Sequence, residues 1–365
     1  MKAVVFRSPE VPVGVTDVEL AAPQAGEVRV KIAAAGVCHS DLHVRRGEWP
    51  APAPLVMGHE GSGVVTAVGD GVTSPAIGDH VVLSWVPPCG ECVRCLAGRE
   101  AQCQKVATII APLGTLFDGT SRLSADGESI HHYLGVSSYA EEVVVPASGA
   151  ITVRSDAPLD VIAVVGCAVA TGVGAVLNTA KVEAGSTVVV IGCGGVGLNV
   201  VQGARLAGAT RIVAVDMLPA KTELAARFGA TDAIDASQGD PVAALFELLP
   251  DGADYVFDAI GRTTTTEQAI RMLALGGAAV IVGLPPAGAT ASFEPLVLAE
   301  ADQRILGSNY GSVRPAIDIP RLVDQYMAGE LLIDELISGR RPLAEAAEAL
   351  DDLENGGALR TLLIP

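Results

Sequence analysis

The sequence predicts an α/β chain in two parts. A mainly β region opens and closes it, and a doubly wound parallel sheet fills the middle. Three observations carry this. Residues 1–150 break into short apolar runs punctuated by Gly, Pro and Asp. From residue 187 onward, apolar runs alternate with helix-like stretches. A glycine-rich turn, GCGGVG, joins one such run to one such helix.

In chain order, GEVRVKIAAAGV (26–37), GSGVVTAVG (61–69), GDHVVLS (78–84) and YAEEVVVP (139–146) read as strands. Runs at Thr187–Ile191, 211–215, 254–258 and 278–283, with weaker ones near Ala233 and Ile305, make six more. LNVVQGARLAGA and PAKTELAARFGA are two of the helix-like stretches between them, so the sheet is covered on both faces and its strands run parallel. Past residue 307 the pattern is mixed again. This places one domain at 1–168 and 308–365 and the other at 169–307, with no internal repeat.

Composition narrows the function. Acidic residues outnumber basic ones 42 to 24, for a net charge of -18. Such a surface repels phosphate backbones, which excludes nucleic acid as a partner. The N-terminal MKAVVFRSPEVPVG has too short an apolar run for a signal peptide or a spanning helix. The apolar region 187–215 is broken by glycines and by Arg205 and Arg211, so no membrane segment is expected. Seven cysteines, an odd number, in a chain without a leader point to the reducing cytoplasm.

Four of those cysteines, Cys89, Cys92, Cys95 and Cys103, share one loop with C-x2-C-x2-C-x7-C spacing. Short spacers let four thiolates wrap a tetrahedral ion, and zinc bound by four sulfurs has no open position, which makes the site structural. An iron–sulfur cluster is the rival for the same ligands, and unrelated buried cysteines the bland reading.

Gly192-x-Gly194-x-x-Gly197, with Gly195 and Val196 completing the loop, follows a β-branched run. It precedes a helical pattern of Val196, Val200, Ala204 and Ala207. The next strand ends in Asp216, about twenty residues on, the spacing of a dinucleotide fingerprint. The helix N-terminus would face a pyrophosphate, and Asp216 would accept the adenosine ribose hydroxyls while repelling a 2′-phosphate. That favours NAD over NADP. A glycine-rich βαβ turn without a nucleotide is the alternative.

GVCHSDLH gathers Cys38, His39, Ser40, Asp41 and His43; MGHEGSG adds His59 and Glu60; VVGCAVATG adds Cys167. Singly each is weak, since a lone Cys or His is more often a core or surface residue. Together they offer two sulfurs and an imidazole with a fourth position free, the ligand set of a catalytic zinc site.

These motifs, in this order and over nearly the whole length, resemble the zinc-dependent medium-chain alcohol dehydrogenases. GCAVATGVG, VGLPP, the terminal GGALRTLLIP and the long stretch DGTSRLSADGESIHHYLGVSSYAEEVVV carry the likeness further. The resemblance implies a GroES-like catalytic domain beside a Rossmann domain, two zinc ions per chain and reversible hydride transfer between an alcohol and NAD. It implies that Cys38, His59 and Cys167 bind the catalytic zinc, with Asp41 orienting His59 and Glu60 beside the metal. Ser40 would pass the substrate proton through the nicotinamide ribose to His43. His39 and Arg360 would touch the pyrophosphate, Lys221 the adenosine ribose and Thr171 the nicotinamide. Val282 and Leu284 of VGLPP would border the cofactor. Trp49, Trp85, Tyr133 and Leu284 would line the substrate pocket. The long 112–135 loop resembles that of dimeric relatives, which implies a homodimer, with a tetramer as the alternative.

Two related activities compete. Glutathione-dependent formaldehyde dehydrogenases place acids before GHE and an arginine after the fourth cysteine. Here Glu48 is the only such acid, and no arginine lies between Cys103 and Arg122. A nicotinoprotein holding NAD permanently is the other. A non-catalytic zinc-stabilised sensor would lack the relay residues. The physiological alcohol is not encoded in these motifs.

Overall fold

Strand Glu27–Gly36 organises the first half of the molecule. In the computed structural model, which describes residues 1–356 and 358–365, it pairs antiparallel with Gly61–Val68, Glu142–Pro146 and Arg360–Ile364. Val28, Val30 and Ile32 project from it into a core with Val65, Val81, Leu83, Val143 and Val145. A second cluster packs Leu42 and Val44 of helix His39–Arg45 against Leu350 and Leu353 of helix Ala346–Glu354. At the rim of that contact, Arg45 binds Asp351 at 2.7 Å and also Glu354. The chain's last segment thereby rejoins its first.

The chain divides into Met1–Cys167 with Arg314–Pro365, and Ala168–Val313. The sequence reading closes the second domain at 307; the structure keeps Ser308–Val313 with it. The reason is a hydroxyl cluster: Thr179 Oγ1 lies 2.9 Å from Ser308 Oγ and 2.8 Å from Ser312 Oγ. Within this unit the sheet order is Asp232–Asp235, Arg211–Asp216, Thr187–Ile191, Ala253–Asp258, Leu273–Ile281, Arg304–Gly307. All neighbours are parallel, the doubly wound order 3-2-1-4-5-6. The two weaker runs near Ala233 and Ile305 are its edge strands. Among the described residues no single helix is long and apolar enough to cross a membrane.

One buried polar network ties the long loop down. Arg122 makes a bidentate pair with Glu27 at 2.8 and 2.6 Å and also holds Asp118 at 2.6 Å. Its backbone N–H donates to His132 Nε2 at 3.2 Å. Burial, with the Arg122 charge adding, pushes the His132 imidazole from 6.5 down to about 3. His132 is therefore neutral in the fold while the unfolded chain takes up a proton below about 6.5. Its contribution to stability is complete above that pH and declines as pH falls toward 3, by at most about 1.4 kcal/mol per unit. His132→Gln keeps an acceptor for the Arg122 N–H and removes the titration. Urea midpoints measured between about pH 6 and 4 should fall less steeply for the variant; identical slopes would contradict a buried neutral His132.

Candidate active site and metal centres

Three strand ends meet at one place in the first unit. Cys38 lies two residues beyond Glu27–Gly36, His59 and Glu60 immediately precede Gly61–Val68, and Arg360 begins Arg360–Ile364. The register pairs Ala35 with Gly61 and Gly36 with Leu362, so the ladder itself brings these residues together. Cys167 arrives from the short helical turn Ala163–Gly166. Glycine is required at Gly36: a Cβ there would stand 2.2 Å from Glu60 Oε2.

The ligand atoms of Cys38, His59 and Cys167 lie within 4.8 Å of one another, and all three residues are buried. His59 Nε2 is 3.4 Å from Cys167 Sγ. On the other side of the ring, Nδ1 faces Asp41 Oδ1 at 3.5 Å. Asp41 is fully buried and is fixed by Tyr139 Oη at 3.0 Å, the Cys38 N–H at 3.2 Å and the Gly58 N–H at 3.3 Å. The ring edges of Tyr133 and Trp85 approach the imidazole at centroid distances of 5.5 and 6.5 Å. Tyr133 Oη also donates to the Ser40 carbonyl at 3.2 Å, and Ser40 Oγ stands 3.8 Å from Cys38 Sγ.

A hydrogen bond from Cys167 holds the Cys38 thiol well below the usual thiol range, and the nearby Arg360 and His59 charges add to this against the cost of burial. The same bond, with burial, pushes Cys167 up. The protein's own donors and charges thus favour one thiolate of the pair, and a bound divalent ion would supply what the second needs. Two sulfurs and an imidazole held on a dry wall suit zinc with an open position.

Arg360 sits closer to this centre than its sequence role suggested. Its guanidinium is almost fully buried, pairing through Nε with Glu60 Oε2 at 3.2 Å and donating from Nη2 to Cys38 Sγ at 3.5 Å. His39 is exposed at the first turn of helix His39–Arg45. Further along that helix, His43 Nδ1 is 2.5 Å from Glu48 Oε2, and its ring stacks on Trp49. Sequence reasoning missed Tyr139, whose segment reads simply as an apolar strand, and the Glu48–His43 pair.

The four-cysteine loop closes on itself. Its ligand atoms lie within 4.8 Å of one another, with Cys89 Sγ 3.9 Å from Cys95 Sγ. Tetrahedral zinc with bonds of about 2.3 Å needs sulfurs about 3.8 Å apart. Backbone N–H groups of Cys89, Cys92 and Cys95 point at the sulfurs of Cys103, Cys89 and Cys92 at 3.4, 3.4 and 3.5 Å. Donors of this kind, from Cys95 and Gln104, bring the Cys92 thiol down to about 6.

In the second unit, helix Gly195–Ala207 starts directly after Gly194, whose missing side chain leaves open space in front of the helix N-terminus. Gly197 must be glycine, because a Cβ would meet the Gly192 carbonyl oxygen at 1.7 Å. Asp216 ends its strand by accepting the Cys193 N–H at 2.8 Å and the Leu218 N–H at 3.0 Å. The loop fits a pyrophosphate, with a carboxylate at the ribose end. Thr171 and Val282 are buried in this unit, Lys221 is half-buried and Leu284 is exposed.

Zinc content tests both centres. Emission spectrometry of the purified protein should find two zinc ions per chain. Cys103→Ser should bring the ratio to one and lower the unfolding midpoint by about 5–10 °C, because closing the loop is coupled to metal binding. A variant that keeps both ions would overturn the assignment of Cys103.

Comparison with known proteins agrees with this geometry. Residues 24–155 match the alcohol dehydrogenase GroES-like domain, and residues 195–326 match the zinc-binding dehydrogenase family. The chain is 40% identical over 365 residues to the probable S-(hydroxymethyl)glutathione dehydrogenase 1 of Schizosaccharomyces pombe, covering 99% of this chain and 96% of that protein. It is 40% identical over 368 residues to the alcohol dehydrogenase class-3 of Drosophila melanogaster, covering 99% and 97%. The crystal structure of benzyl alcohol dehydrogenase from Acinetobacter calcoaceticus superposes with a TM-score of 0.94 at 34% identity, covering 100% of this chain and 98% of that one. With a soft three-ligand centre and a closed four-cysteine loop already in place, this full-length likeness settles the matter: the chain belongs to the zinc-binding alcohol dehydrogenase family and is an oxidoreductase acting on CH–OH groups.

Proposed function

We propose that the enzyme transfers hydride reversibly between a free primary or secondary alcohol, or its aldehyde or ketone, and NAD. The observation that carries this reading is the buried Cys38–His59–Cys167 set, flanked by Ser40 and by the rings of Tyr133 and Trp85. Bound there, zinc supplies a Lewis acid that makes an alcohol hydroxyl acidic near neutral pH, and NAD supplies the hydride acceptor. Ser40 takes up the hydroxyl proton and passes it toward His43. Asp41 keeps the His59 ring oriented, with Nε2 toward the metal. Glu60 and Arg360 set the charge beside it. The wall of Tyr133 and Trp85 accepts an apolar substituent and excludes water. His39, Thr171, Lys221, Val282 and Leu284 are assigned to the dinucleotide by the family pattern alone.

The name of one 40% identical relative favours a second reading, oxidation of S-(hydroxymethyl)glutathione. Charge placement argues against it. Arg122 is committed to Glu27 in the interior and to Asp118 at the surface, Lys105 is paired with Glu91, and Glu48 is engaged by His43. No cation of segment 104–122 is left uncommitted for a tripeptide's carboxylates. Assays with NAD on benzyl alcohol, short alkanols and S-(hydroxymethyl)glutathione decide the question. Free alcohols should win in kcat/KM by at least about tenfold, and the reverse order would overturn the proposal. NAD that stays bound through gel filtration would indicate the nicotinoprotein variant instead.

The carboxylate of Asp216 supports NAD over NADP. Asp216→Asn removes the charge and keeps an acceptor for one of the two loop N–H groups. The NADP-to-NAD ratio of kcat/KM should rise about tenfold, the equivalent of about 1.4 kcal/mol; an unchanged ratio would show that this side chain does not select the cofactor. A homodimer is proposed as well. Edge strand Arg304–Gly307 lacks a neighbour on one side, and Phe293, Leu296 and Val297 are exposed in the same unit. Light scattering should report twice the chain mass.

A further inference from the structure

We propose that Glu48 is a positioning residue of the proton relay, holding His43 in the tautomer and orientation that let it accept the substrate's proton. This rests on the reading of His43 as the relay's terminal base.

The chain turns back immediately after helix His39–Arg45 and encloses the His43 side chain. The N–H groups of Glu48 and Trp49 both donate to the His43 carbonyl, at 2.9 and 3.3 Å. The turn passes through Gly47 at φ 68, a left-handed conformation suited to glycine. It brings Glu48 Oε2 within 2.5 Å of His43 Nδ1. The Trp49 ring lies flat on the imidazole, with centroids 4.4 Å apart and planes inclined by 15°. Arg46 Nη1 stands 3.6 Å from the other carboxylate oxygen of Glu48. The imidazole is thus fixed on one edge by charge and on one face by stacking.

An ionised carboxylate at Nδ1 requires a proton there, which leaves Nε2 as the accepting nitrogen. When a proton reaches Nε2, the imidazolium that forms keeps its Nδ1–H bond to Glu48 and is stabilised by that negative charge. The proton then leaves Nε2 for water and the pair is restored. A carboxylate bonded to a histidine in this way orients a base without itself becoming protonated.

The test uses zinc-loaded enzyme and the variants Glu48→Gln, His43→Gln and the double replacement. Glu48→Gln should slow alcohol oxidation about tenfold in kcat, with zinc content and NADH affinity unchanged. The double variant should be no slower than His43→Gln, because both substitutions disable one device. Nitrogen-15 spectra of histidine-labelled protein, with the His43 signals identified by their loss in His43→Gln, should show Nδ1 protonated in wild type and a mixed tautomer in Glu48→Gln. If His43→Gln turns over normally, the relay reading itself fails. If His43→Gln is slow while Glu48→Gln is fast, or wild-type His43 carries its proton on Nε2, the relay stands and the role of Glu48 is overturned.

Discussion

The geometry of the catalytic centre depends on a carboxylate that water does not reach. Asp41 is fully buried, and an ionised group so placed is tolerable only if donors surround it. It has the Tyr139 hydroxyl and the Cys38 and Gly58 N–H groups, and it faces His59 Nδ1. Each donor comes from a different stretch of chain. Satisfying this one charge therefore fixes the start of helix His39–Arg45, the turn before His59 and the approach to strand Glu142–Pro146 at once. Phenylalanine at Tyr139 would keep the packing and withdraw one donor, so the His59 ring would lose definition before the fold did.

The remaining charges follow from that arrangement. Glu60 and Cys38 each contact Arg360, which sets one cation against both in the same dry space. Arg360 arrives on the last strand of the chain, across a ladder whose register pairs Leu362 with Gly36. The C-terminal strand, paired on its other side with Ile337–Pro342, is thus part of the centre. Loss of the arginine would leave a buried carboxylate and a buried thiolate repelling each other, a larger penalty than the loss of the ion pair alone.

How much of this the sequence disclosed varies with the range of the interaction. The four-cysteine site is local: its ligands span fifteen positions, and spacing alone identified them. The glycine loop is local too, and steric demand at Gly197 writes itself directly into the sequence. The six-strand sheet was legible because apolar runs alternate with helical ones. The centre at Cys38, His59 and Cys167 was readable only as a set of motifs, since strand register, which the sequence does not state, brings them together. Tyr139 was invisible as a polar residue because its hydroxyl is one atom on an otherwise apolar side chain. The contacts of Thr179 with Ser308 and Ser312, over one hundred residues away, could not be read from the sequence. Such contacts leave no periodic trace.

The same distinction bears on specificity. The metal ligands and the nucleotide loop do not by themselves separate a free alcohol from the glutathione adduct for which one relative is named. Under the proposed function, the difference lies in where charged side chains are committed. Arg122 is locked to Glu27 beneath the long loop, with His132 kept neutral against its backbone. Glu48, the one acid in the segment before the second zinc motif, is held by His43, Arg46 and the turn between them. A substrate carboxylate that drew on Arg122 would have to displace Glu27 and leave that buried carboxylate uncompensated. An alcohol with an apolar body needs only the open metal position and the aromatic wall. The charges that select a substrate in this architecture are consequently those the fold has not already used to hold itself together.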